Sequence, residues 1–188
     1  MPKTRTLPRT SPRILRRVGL GAMAALLLSG CSLVNGPGPT STSCPPTGML
    51  REGASMTRYS PNAQRDLTNV ELSAEIVDVS SSCLLENDPR QLAMTMGLRV
   101  IAERGPAAPS GQQQLAYIVA VTRADQTFLN RQVYRLAATF TGTSRRAGFE
   151  EVLKLNFPLA EGQTAEDFRV YVSLALRPDE LDSNLSQR

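Results

Sequence analysis

From residue 54 to residue 176 the apolar side chains of this chain recur at every second position, the period of strands that bury one face. A short candidate strand covers 54–59 and stops at the Ser60-Pro61-Asn62 turn. Val70, Leu72, Ala74 and Ile76 then alternate with Glu71, Ser73 and Glu75, after which Val77 and Val79 take the opposite phase. A slip of one residue sends the apolar set to the other face, so the pattern predicts a β-bulge at Ile76-Val77. Residues 80–83 close that strand and 84–90 read as a loop. Leu92, Met94, Met96, Leu98, Val100 and Ala102 form the longest apolar stripe, followed by a Gly/Pro-rich loop at 105–111. Leu115, Tyr117, Val119 and Val121 are the next inward set, with Ile118 and Ala120 opposite, as in a strand covered on both faces or at the sheet centre. Asp125-Gln126 turns the chain into a strand at 133–141, and 141–148 reads as a polar hairpin loop. Leu153, Leu155, Phe157 and Leu159 form one further strand, and Phe168, Val170, Val172, Leu174 and Leu176 the last.

Six clear strands and a weaker one, with no long amphipathic helix, predict an all-β domain over 48–178. Two sheets packed face to face would bury one face of each strand. The fold expected is therefore a single antiparallel immunoglobulin- or fibronectin-III-like sandwich of about seven strands, with a small closed β-barrel as the alternative. Residues 179–188 read as a polar tail with at most one helical turn.

The N-terminal segment follows a different pattern. Arg13, Arg16 and Arg17 precede an uncharged run at 18–28, too short for a permanent membrane helix and suited to the hydrophobic part of a secretory signal. The run ends in Leu28, Ser29, Gly30 and Cys31, which resembles the lipobox of bacterial lipoproteins. That resemblance implies a signal peptide over 1–30, cleavage between Gly30 and Cys31, and a diacylglyceryl group on the Cys31 sulfur. Competing readings are an uncleaved helix, an ordinary signal-peptidase site and a twin-arginine signal at Arg16-Arg17. The first falls short of bilayer length, the second is poorly served by leucines continuing through Leu28, and the third meets Gly19 where a bulky apolar residue is usual. Two or more acyl chains hold a protein on a bilayer far longer than one. Ser32, in the place where aspartate favours inner-membrane retention, points to the outer membrane.

Charge has to be read with the leader removed. The chain carries 21 basic and 17 acidic side chains, but six of the basic ones lie within 1–30. The remainder, fifteen against seventeen, is mildly acidic and leaves no electrostatic footprint for nucleic acid. Residues 31–47, rich in Ser, Thr, Gly and Pro, read as a linker. With Cys31 taken by lipid, Cys44 and Cys83 remain, and an oxidising periplasm allows them one pairing, a Cys44–Cys83 disulfide. A free buried thiol at Cys83 and a redox or metal pair are the rival readings.

Chemistry is sparsely represented. Histidine is absent, which excludes Ser-His-Asp and Cys-His catalysis and histidine metal ligation. The only lysine after residue 30, Lys154, falls on the polar phase of a strand. Glu71, Glu75, Glu150-Glu151 and Glu166-Asp167 are candidate carboxylate pairs, and Glu86, Asn87 and Asp88 form a small acidic loop without EF-hand spacing. Each has a plainer reading as solvated surface or turn. The expectation is no catalytic residue, no bound metal and no cofactor beyond the lipid on Cys31.

The lipobox, the Cys-Pro after it, T-R-Y-S-P at 57–61, R-D-L-T-N-V-E-L-S-A-E-I-V-D-V-S-S-S-C at 65–83 and Y-I-V-A-V-T at 117–122 together resemble a group of proteobacterial envelope lipoproteins. The resemblance implies an envelope location and a β-sandwich and brings no activity with it. The function expected is that of a periplasm-facing, membrane-anchored structural or adaptor module, with the bilayer and an unidentified envelope protein as partners. The alternative is a lipid or small-ligand binder with a pocket between the sheets.

Overall fold

The structure, a computed structural model, describes residues 38–87 and 90–186. Along the chain these form β1 (Thr40–Thr42), β2 (Thr47–Met49), β3 (Ser55–Tyr59), β4 (Val70–Asn87), β5 (Arg90–Arg104), β6 (Gln113–Arg123), β7 (Phe128–Ala138), β8 (Arg146–Pro158), β9 (Phe168–Leu174) and the helix α1 (Pro178–Ser186). The stretch read as signal peptide and lipobox, Leu28, Ser29, Gly30 and Cys31 included, lies outside the described residues.

The stripe expected at 92–102 is the spine of the core. Leu92, Met94, Met96, Leu98, Val100 and Ala102 are all buried on β5, which pairs with β4 on one side and β8 on the other. Each fully buried Leu or Met contributes about 1.5–3 kcal/mol relative to exposure. In this sheet, sheet A, the order is β1-β4-β5-β8, and β3 pairs with the other end of β4. Sheet B has the order β2-β9-β6-β7. Leu115, Tyr117 and Val119 of β6 and Val170, Val172 and Leu174 of β9 join the β5 stripe in one core cluster. The domain is an all-β sandwich of two sheets that do not close on each other, so the barrel alternative falls.

The bulge lies where the phase reversal put it: the β4–β5 register shifts between Ile76 and Asp78. The central position of β6, between β9 and β7, accounts for its apolar residues on both faces. Gly105 ends β5 against β4, where a Cβ would stand 1.9 Å from the Val70 carbonyl oxygen.

Several expectations are corrected. Nine strands, not about seven, are present among the described residues, and β2 runs parallel to β9 in an otherwise antiparallel arrangement. Order starts before residue 48, inside the stretch read as linker: β1 pairs with β4, β2 with β9, and Cys44 is bonded to Cys83 with a Cα–Cα distance of 5.3 Å. Low apolar content hid these strands, which are held by backbone pairing and a covalent bond. Residues 84–87 are not loop; β4 pairs with β5 as far as Asn87↔Arg90, because a long apolar partner strand overrides local turn chemistry. The strand placed at 133–141 is β7 at 128–138, its start set by the tight turn where Gln126 takes a φ of 70° and the Thr127 N–H donates to Asp125 Oδ1. The segment at 141–148 is no hairpin loop: it carries the chain from sheet B to sheet A. The tail after Pro178 is the nine-residue helix α1.

Candidate interaction surface

The tract resembling T-R-Y-S-P and R-D-L-T-N serves α1. Glu180, only 1% exposed, accepts a hydrogen bond on Oε1 from Arg58 Nε of β3 at 2.9 Å and one on Oε2 from the Arg177 backbone N–H at 2.8 Å. Arg177 Nε stands 3.1 Å from Oε1 as an ion pair. Arg65 donates to the Asp179 carbonyl, and Asn184 Nδ2 donates to the carbonyls of Glu52 and Ser55 at 2.8 Å each. Asp66 Oδ1 accepts from the backbone N–H groups of Thr68 and Asn69. The Thr68 hydroxyl bond, with these backbone donors, holds the Asp66 carboxyl below its ordinary value. Arg58 and Arg65 of these motifs thus join Glu180 and Asn184 in a polar clamp on α1.

The candidate carboxylates are dispersed. Glu150 is ion-paired with Arg99 at 3.1 Å on the exposed face of sheet A. Glu151, its neighbour, takes the opposite phase beside Leu98. Asp167 closes a capping box with Thr164. Glu71 is half-buried and Glu75 exposed, and Glu86 is bonded to Gln91; Asp88 lies outside the described residues. Lys154 is exposed. No group of three metal-ligating side chains occurs among the described residues. Among the described residues Tyr117 is the one perturbed core group: 1% exposed, with its hydroxyl unpartnered, it is pushed up to about 12, first by burial and then by the charge of Glu151 and by Tyr134. Tyr134 stacks on it at a centroid distance of 5.0 Å.

The two sheets differ in the charge of their strands. The strands of sheet B contain four arginines and no carboxylate, whereas those of sheet A carry seven carboxylates against six cations. Registers align Arg131 with Ala120 and Tyr171, Arg135 with Ala116, Val133 with Ile118 and Ser173, and Arg169 with Thr122. Arg131 and Arg135 are exposed and enter no ion pair among the described residues, and Val133 between them is 55% exposed. Phe128, 71% exposed, begins the same strand. Among the described residues no strand pairs with sheet B beyond β7, so its outer edge offers unpaired backbone groups.

Between the free edges of β7 and β8 lies an open groove of about 320 Å³, with Leu129, Gln132, Leu155, Phe157 and Phe168 in its walls. It opens at the rim of the sandwich. Sequence reading missed the cationic face although Arg131 and Arg135 share one phase of β7; counting charge by strand and phase would have revealed it. No family model, curated protein or solved structure matches this chain.

Proposed function

We propose that this chain is a lipid-anchored, non-enzymatic adaptor of the bacterial envelope, tethered through Cys31 and facing the periplasm, with Ser32 favouring the outer membrane. Its working surface is the outer face and β7 edge of sheet B, and its partner is an envelope protein offering an acidic, extended segment. The observation that carries this reading is the segregation of charge: unpaired Arg131 and Arg135 flank exposed Val133 on a sheet without carboxylates. Complementary charge steers encounter and register, while an added strand gains main-chain hydrogen bonds. The adaptor reading is favoured over the ligand-binding one because the groove described above lies at the rim, and the space between the sheets is filled by the apolar core cluster.

The sandwich is read as a variant of the immunoglobulin/fibronectin-III class. Its orders β4-β5-β8 and β9-β6-β7 correspond to strands A-B-E and F-C-C′, with β2 in the edge place of strand G.

A photo-crosslinking amino acid at Val133 in intact cells should yield a discrete adduct, absent from the same probe at Ser80 on sheet A and abolished by Arg131→Glu with Arg135→Glu. Equal adducts at both positions, or an adduct indifferent to the arginines, would reject the surface. Cys31→Ser should release the protein from membranes and end incorporation of labelled palmitate; retention and labelling unchanged would reject the anchor.

A further inference from the structure

Strand β8 ends sheet A, with β5 on one side and no strand on the other among the described residues. Its outward phase reads Gly148, Glu150, Val152, Lys154 and Asn156, and Val152 is 68% exposed. An antiparallel strand paired with its own copy places residues symmetrically about one central position. With Val152 at the centre, Glu150 faces Lys154 of the second copy and Lys154 faces its Glu150. On the inward phase Phe149 then meets Leu155 of the second copy, both half-buried side chains that pack against the core from the edge. We propose that two copies of this chain associate through β8 about a twofold axis at Val152, joining their A sheets into one continuous sheet.

The other registers lack this complementarity of charge. Centring on Glu150, Glu151 or Lys154 sets that side chain against itself, and centring on Leu153 separates Glu150 from Lys154 altogether. Like charges directly opposite destabilise a strand pair and unlike charges stabilise it. Pro158, opposite Arg146 of the second copy, lacks an N–H and ends the ladder. At β7, which has no carboxylate, no register pairs unlike charges, and centring on Val133 sets Arg131 against Arg135 of the second copy. The two free edges are therefore not equivalent: β8 is self-complementary and β7 is not. A twofold contact of this kind closes on itself and does not propagate into fibres. Its extent, one strand edge, makes association reversible and concentration-dependent. The inference uses sheet A and is independent of the adaptor surface on sheet B.

The test uses the full chain carrying Cys31→Ser. Directly opposed antiparallel residues have Cα atoms about 4.5–5.5 Å apart, within disulfide range. Val152→Cys should give a covalent dimer under mild oxidation, and Asn156→Cys alone should not, because it faces Gly148. In sedimentation equilibrium, Glu150→Lys and Lys154→Glu should each weaken the dimer about tenfold, and the double exchange should restore it. Absence of the Val152→Cys dimer, equal crosslinking at Asn156→Cys, or no recovery in the double exchange would overturn the proposal.

Discussion

Replacing Glu180 tests whether the C-terminal helix belongs to the fold. The carboxylate is buried, accepts from Arg58 Nε and the Arg177 N–H, and ties residues 122 positions apart. Glu180→Ala leaves the Arg58 guanidinium, whose side chain is 18% exposed, without its counter-charge. Removing one partner of a buried pair costs about 3–5 kcal/mol, and the lower end applies because Arg177, 42% exposed, can rehydrate. Glu180→Gln keeps the volume and an acceptor and should cost about half as much. Replacing both partners, Arg58→Met with Glu180→Leu, should recover most of the loss, since no charge is then stranded. Urea unfolding followed by far-ultraviolet circular dichroism gives these values, and amide exchange over 178–186 reports whether the helix detaches. A Glu180→Ala loss below about 0.5 kcal/mol with unchanged exchange at α1 would refute the clamp.

Two further perturbations address the core and its staple. Cys44→Ala with Cys83→Ala opens a loop of sequence separation 39 and should lower stability by about 4 kcal/mol in the chain-entropy account; a loss under about 1 kcal/mol in denaturant titration would contradict it. Tyr117→Phe removes a buried, unpartnered hydroxyl and should stabilise by about 1 kcal/mol. Folded Tyr117 holds its proton to about pH 12 while the unfolded chain releases it near 10. Its contribution, at most about 3 kcal/mol, is therefore fully present below pH 10 and is lost as pH rises through 12. Parallel stability curves for the parent and Tyr117→Phe over pH 9–12 would show that this reasoning fails.

Strand periodicity by itself determined most of the sandwich: the β5 stripe, the bulge after Ile76 and the inward set of β9 follow from a period-two pattern that admits one buried face, while the apolar residues on both phases of β6 left its central place as one of two readings. The cysteine pair was legible once Cys31 was assigned to lipid, because the two thiols that remain allow one bond. Pairing partners were not legible. Whether 141–148 closed a hairpin or crossed between sheets depended on which free edge β8 could reach, and periodicity is the same in both cases. Strands β1 and β2 carry too little apolar surface to announce themselves, and α1 is held by Glu180, Arg58 and Asn184, polar contacts that act across more than a hundred residues. The charge difference between the two sheets likewise arose only on folding, when Arg169 of β9 was brought onto one sheet with Arg131 and Arg135 of β7. Burial of apolar side chains is a local pattern readable from order along the chain, whereas backbone pairing and ion pairing between distant segments are fixed only when the sheets assemble.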